Sequence, residues 1–221
     1  MFKRLQKNNR IENVHLEENT KHFIVEQNNQ PTINRLIKFM ANSVQGELIS
    51  KCLYNDRNYA EYTRYIVYSL VLNLSFEEFH ECSIKFNVEE TPIISCIWNY
   101  TRMFDSLEYI GKCNKNPFDG DAHSGNINAC LINPLGLVIV DNGNHSVNSA
   151  IVHNEGEIIA NVTVDISPVL EKYKFNGKDY VDIITNEKIN NNFLKNNSEP
   201  FIYTLGLFFE MARVLKERQD R

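Results

Sequence analysis

The stretch that most restricts what this chain can fold into is residues 137–156. It reads Leu137-Val138-Ile139-Val140, then Asp141-Asn142-Gly143-Asn144-His145-Ser146, then Val147-Asn148-Ser149-Ala150-Ile151-Val152, with Gly156 shortly after. Four apolar, mostly β-branched residues favour a buried strand, Asn142-Gly143 marks a turn, and Val147, Ala150 and Ile151 recur at helical spacing. The pattern predicts a strand that stops at a polar turn and passes straight into a helix, N-capped by Asn144 and closed by Gly156 at C′. At such a junction the free amides of the first helical turn and the positive end of the helix dipole face one spot. An anion is the ligand that this local chemistry selects.

Composition narrows the rest. The 221 residues are 43% hydrophobic and 23% charged, values of a globular chain long enough to bury a substantial interior. A formal charge of −5 disfavours a general nucleic-acid surface, which needs concentrated Lys and Arg. The five cysteines are an odd number, widely spaced, without the paired Cys or His spacing of a zinc site. They read as reduced thiols of a cytoplasmic protein. Residues 1–10 lead into no apolar run of signal-peptide length, and no segment reaches the roughly 18 apolar residues of a membrane span.

Along the chain, the first 30 residues read as a polar arm. Helices are predicted from Pro31 to about Tyr54 (Ile33, Leu36, Ile37, Met40, Val44 and Leu48 inward), from Asn58 to about Leu74, and from the capping-box pattern Ser75-Phe76-Glu77-Glu78 to about Phe86. Thr91-Pro92 opens a stretch to Ile110 that reads as one long helix, with a β-rich reading of 93–100 in competition. Residues 111–126 are a long polar loop carrying Asp119, Asp121, His123 and Ser124. Residues 127–132 and 137–140 flank Asn133-Pro134-Leu135-Gly136 as a hairpin, and a strand follows over 158–166. A turn at 175–178 joins two short strands. Ser198-Glu199-Pro200 starts a last helix with Phe201, Leu205, Phe208, Phe209, Ala212 and Leu215 inward.

The order of hairpin, Asp141-to-Ser146 turn, helix with Ser149-Ala150 near its middle, and following strand resembles the ParB/sulfiredoxin-like superfamily. Asn116-Pro117-Phe118 is similar to the Asn-Pro box of its partition-protein branch. The likeness covers about residues 116–182. It implies an α+β fold with a small mixed β-sheet core of that type. With the helices read above, the chain divides into an N-terminal arm and helical region over 1–110 and that core with a C-terminal helix over 111–221, packed as one compact unit. The likeness also implies a phosphate-binding turn, used across the superfamily for nucleotide binding and hydrolysis, phosphoryl transfer and, reportedly, DNA cleavage. Gly143 matches the position of close phosphate approach and His145 the motif histidine. Two positions depart from the pattern. Ser146 stands where the superfamily has arginine, removing a bidentate phosphate clamp, and Asn144 stands at the sulfiredoxin cysteine, removing that thiol chemistry.

The expected function is therefore binding of a nucleotide or other phosphorylated small molecule, with or without magnesium, by Asn142, Gly143, Asn144, Ser146 and Ser124. If the site catalyses phosphoryl transfer or phosphoester hydrolysis, His145 and His123 would move the proton and Asp141 would supply a carboxylate. Two alternatives stand beside it. One is a catalytically inactive ParB-like interaction or sensor module with a protein partner, in a bacterial or phage accessory system. The other is a DNA nuclease of the same fold, for which no basic groove is visible.

Overall fold

The structure of the protein, a computed structural model, describes residues 18, 22, 29–54, 66–67, 69–71, 78–121, 124–189 and 199–219. The helices are α1 (Gln30–Tyr54), α2 (Tyr100–Tyr109), α3 (Asn144–His153), α4 (Ser167–Lys172) and α5 (Glu199–Gln219). The strands are β1 (Phe79–Asn87), β2 (Ile93–Ser95), β3 (Asn128–Asn133), β4 (Leu137–Asn142) and β5 (Glu157–Asp165), with a small pair β6 (Tyr173–Phe175) and β7 (Tyr180–Asp182). Five strands make one mixed sheet in the order β1-β5-β3-β4-β2, so the class is α+β, as expected. Within it β3 and β4 are the predicted antiparallel hairpin. The pairs β2/β4 and β3/β5 are parallel, and β1 lies antiparallel on β5.

Leu137, Val138, Ile139 and Val140 of β4 are all fully buried because the sheet is covered on both sides. Leu137 and Ile139 face a core made by α1, α4 and α5, while Val138 and Val140 face a second core with Val147 and Ala150 of α3, Phe118 of the polar loop and Ile127 just after it. On α1, Ile33, Ile37, Ala41, Val44 and Leu48 form one buried stripe at helical spacing. On α5, all six residues predicted to face inward are buried. The charged pair that interrupts that face has a structural use. Glu210 accepts the Phe175 amide at 2.7 Å and pairs with Arg213, which donates to the carbonyls of Leu170 and Tyr173. Together they fasten β6 to α5.

Three sequence expectations are corrected. The helix expected over 75–86 is, from Phe79 on, strand β1. Cys82, Ile84, Phe86 and Val88 alternate with polar residues at the period of a strand, and pairing with β5 overrides the local capping pattern. The long helix expected over 93–110 is instead β2, then a four-residue connection, then α2. Ile93, Ile94 and Ser95 are wholly buried beside β4, and Asn99 restarts the helix by accepting the Arg102 amide. Residues 1–110 thus contribute two of the sheet's five strands and are not only arm and helix. Finally, Asn154, not Gly156, closes α3 in the left-handed conformation, a geometry Asn tolerates. The helix expected from Asn58 lies mostly outside the described residues. Among the described residues no helix is long and apolar enough to cross a membrane.

Gly206 of α5 gives a test of this packing. A Cβ there would lie 2.3–2.4 Å from three atoms of the Phe175 ring. Glycine to alanine in a helix ordinarily gains about 1 kcal/mol, but overpacking a core costs about 1–3 kcal/mol. Gly206→Ala is expected to lower the urea midpoint, with a net loss of up to about 2 kcal/mol, whereas a gain in stability would show that α5 does not sit this close to β6.

Candidate anion site at two paired helix starts

The parallel strands β2 and β4 end side by side, and each feeds a helix: β2 leads through residues 96–99 to α2, and β4 leads through Gly143 to α3. The two helices run in the same direction. At their starts the Asn99 amide donates to His145 Nε2 at 3.2 Å, and further along Ser149 Oγ donates to the carbonyls of Ser106 and Ile110 at 3.0 and 3.2 Å. Two positive dipole ends are therefore brought together at the carboxyl ends of two parallel strands, the place where open α/β sheets bind ligands.

The start of α3 differs from that of α2. Asn99 side-chain-caps α2, but Gly143 occupies the cap of α3 in the left-handed conformation (φ 81°) and no side chain caps it. The first intrahelical bond runs from the Val147 amide to Gly143 O at 3.0 Å, which leaves the amides of Asn144, His145 and Ser146 ahead of it. Glycine is required at this cap: a Cβ would meet Ile127 Cγ1 at 2.8 Å and Asn126 O at 3.1 Å.

Asn144, expected to cap the helix, turns inward instead. Its Oδ1 accepts the Cys96 amide at 2.8 Å, its Nδ2 donates to Asp141 O at 2.9 Å, and its backbone carbonyl accepts Ser95 Oγ at 2.6 Å. Gln45, arriving from α1, completes this buried web. Its Oε1 accepts the Ser95 amide at 2.8 Å, and its Nε2 donates to Ser95 O at 2.9 Å and to Asn148 Oδ1 at 2.8 Å. The cap is lost to a stronger demand, since a buried backbone group left unpaired costs about 1–3 kcal/mol. Asn148 Nδ2 is buried with no partner among the described residues.

His145 is 9% exposed, in the first turn of α3. Because Nε2 accepts the Asn99 amide, the neutral ring carries its hydrogen on Nδ1, which has no partner among the described residues. Trp98 meets the imidazole edge-on at 5.1 Å, and the Arg102 guanidinium lies over the Trp98 ring at 4.9 Å. Burial, and secondly the Arg102 charge, hold the imidazole below its usual range. The result is a neutral donor beside an exposed cation.

The other sequence candidates divide. Asp141 and Asn142 are exposed on the turn and Ser146 is half-buried beside it, with no hydrogen bond or ion pair joining Asp141 to His145 among the described residues. The polar loop does reach the turn, through Asn126 and Ile127 against Gly143, and Ser124 opens its last short helical turn (Ser124–Asn126), while His123 lies outside the described residues. Asp121 of the polar loop pairs with Lys85 at 2.6 Å, alongside Glu157, on the far strand of the sheet. Among the described residues no cluster of three or more His, Cys, Asp or Glu side chains is arranged to hold a metal ion. Sequence reasoning missed Gln45, Ser95, Trp98, Asn99, Arg102 and Asn148. Asn99, as a helix-cap residue, was legible; Arg102 was hidden inside what read as one continuous helix.

Fold and site together define an α+β protein with two parallel helix starts gathered at one edge of a mixed sheet. The chain belongs to DUF6710, a family of unknown function, whose family model matches residues 3–221. No curated protein and no solved structure matches it.

Two outcomes are expected. Gln45→Leu would leave the Ser95 amide and Asn148 Oδ1 unpaired in the interior, while the Ser95 carbonyl keeps the Ile97 amide at 3.1 Å. Urea unfolding is expected to show a loss of about 2 kcal/mol or more, and a loss below about 1 kcal/mol would mean the web is not buried as described. For His145 the folded value lies below the unfolded value of about 6.5, so the unfolded chain binds the extra proton. The contribution is fully present above about pH 6.5 and disappears as pH falls through the lower, folded value. Across this window the stability of His145→Gln should fall less with acidification than that of the parent chain, and equal slopes would contradict a buried neutral imidazole.

Proposed function

We propose that this protein binds a phosphorylated small molecule, of the nucleotide class, at the paired starts of α2 and α3. The observation that carries the reading is the uncapped start of α3 beside Arg102. Three amides precede the first helical bond, two dipoles point the same way, and a guanidinium stands on the neighbouring helix. A phosphate group satisfies all three at once, because it offers several acceptor oxygens and a charge that Arg pairs in a planar fork. In the likeness to the ParB/sulfiredoxin-like superfamily, Ser146 leaves the clamp without its arginine. Arg102, one helix away, supplies that charge here, and Ser146 adds a hydroxyl.

This assigns His145 to positioning. Its acceptor nitrogen is committed to the Asn99 amide, so it orients the two helix starts and offers Nδ1–H as a donor. Asp141 and Asn142 form the exposed rim. Binding, rather than hydrolysis or transfer, is what the arrangement supports, and magnesium would arrive with the ligand's own phosphates. The free thiols fit a reducing compartment, and the reading places the protein in the cytoplasm.

Calorimetry against ATP, CTP, GTP, pyrophosphate and inorganic phosphate, with and without magnesium, tests it. At least one is expected to bind, and Arg102→Ala to weaken that binding about tenfold or more, corresponding to about 1.4 kcal/mol for a lost charged contact. No heat with any of these probes on folded protein would overturn the reading. One observation then favours a second one, a protein-interaction module: Tyr100, Phe104 and Tyr109 of α2 are 44%, 54% and 63% exposed.

A further inference from the structure

The opposite end of α3 carries a second group of reactive side chains, independent of the anion site. His153 is the last residue of the helix, and its Nδ1 lies 3.9 Å from Sγ of Cys113, which sits in the short helical turn Lys112–Asn114. His153 Nε2 is buried with no partner among the described residues, so the thiol is the polar group the ring has been given.

The loop that brings Cys113 here is firmly tied. The Gly111 amide donates to Asn116 O at 2.7 Å, the Asn116 amide returns to Gly111 O at 3.2 Å, and the Lys112 amide donates to Glu155 Oε1 at 2.8 Å. Gly111 has φ +139°, and a Cβ there would stand 3.0 and 3.1 Å from Cδ2 and Nε2 of His153 and 3.3 Å from Cys113 Sγ. The positive φ favours glycine at 111, and a side chain there would crowd both the imidazole and the thiol.

Cys113 also stands apart from the other thiols. None of the five cysteines is in a disulfide among the described residues. Cys52 and Cys96 are buried, Cys82 and Cys130 half-buried, and Cys113 alone is exposed. Burial pushes the thiols of Cys52, Cys82 and Cys130 up, that of Cys130 to about 12, which leaves them poor nucleophiles. Lys112 and Lys115 flank Cys113 in the chain.

We propose that Cys113 is a thiol-modification site, activated by His153 for exchange with low-molecular-weight disulfides. His153 Nδ1 takes the thiol proton as Sγ attacks one sulfur of the disulfide. The new sulfur–sulfur bond forms as the old one breaks, and the leaving thiolate recovers the proton from the imidazole. Cys113 sulfur is oxidised and the released sulfur is reduced, so the disulfide is the sole co-reactant. The product is a mixed disulfide on an exposed loop that packs against the end of α3.

The probe is dithiodipyridine, a small uncharged disulfide whose released thiopyridone is followed by absorbance at pH 7 with the folded full chain. One equivalent is expected to react about tenfold faster than N-acetylcysteine under the same conditions, with mass spectrometry placing the adduct on the Cys113 peptide. Cys113→Ser should remove that phase and His153→Gln should slow it about tenfold. A parent chain that reacts no faster than N-acetylcysteine overturns the proposal without any variant. A fast phase that survives Cys113→Ser, or an unchanged rate in His153→Gln, overturns it equally. Should His153→Gln unfold, all five thiols would titrate, and the comparison with N-acetylcysteine decides.

Discussion

The pairing of one side-chain amide with one residue of an edge strand holds this molecule in register. β2 lies at the rim of the sheet, and the backbone amide and carbonyl of Ser95 both bond to the Gln45 side chain, on the edge that faces away from β4. A short edge strand with open polar groups cannot be buried without such a partner, and Gln45 supplies it as a substitute for one more strand residue. The same amide then reaches Asn148, and Ser95 reaches Asn144. Helix α1, strand β2 and helix α3 are thereby locked to one another by directional bonds, and not by apolar contact alone. Apolar packing tolerates small slides between layers; a web of this kind does not.

That lock has a consequence for the two helix starts. Asn144 could have capped its own helix, and its type and position suggested that it would. Its side chain is instead consumed by the Cys96 amide and the Asp141 carbonyl, which join the end of β4 to the end of β2. The polar residues of the turn serve the fold first, and the function is left to what they free. What they free is a row of backbone donors at the start of α3, next to a helix whose own start is closed by Asn99. An uncapped start beside a capped one is an asymmetric arrangement, and it points the available charge at one spot.

Much of this was legible in the sequence wherever an element announces itself by its own period. The β4-turn-α3 unit, the β3/β4 hairpin, α1 and the inward face of α5 all carry their pattern within a few consecutive turns or strand residues. β1 carries one too, in Cys82, Ile84, Phe86 and Val88, but the capping pattern just ahead of it is a local helix signal that masks the period. β2 is only three residues long, too short for any period to distinguish it from the first turn of a helix. The polar web was not legible at all, because its members are far apart in the chain: Gln45 and Asn148 are separated by 103 positions. Nothing local tells a buried glutamine on α1 from a solvated one. Arg102 was unreadable for the same reason, since its place depends on where β2 ends and on which way α2 then runs.

The polarity of α3 joins the two ends of the molecule's chemistry. One imidazole stands in its first turn and another on its last residue, and the peptide dipoles act on them in opposite senses. At the start, where the helix is positive and Arg102 is near, a neutral His145 that accepts from a backbone amide is the stable form, and the surroundings favour an incoming anion. At the end, His153 Nδ1 lies 3.9 Å from the exposed Cys113 thiol. α2 runs alongside in the same direction and ends at the same loop, where Asn114, next to Cys113, donates to the carbonyls of Leu107 and Ile110. A single ten-residue helix, fixed in place by Gln45, thus carries an imidazole at each end in different company: a backbone amide and a nearby cation at the start, an exposed thiol at the end.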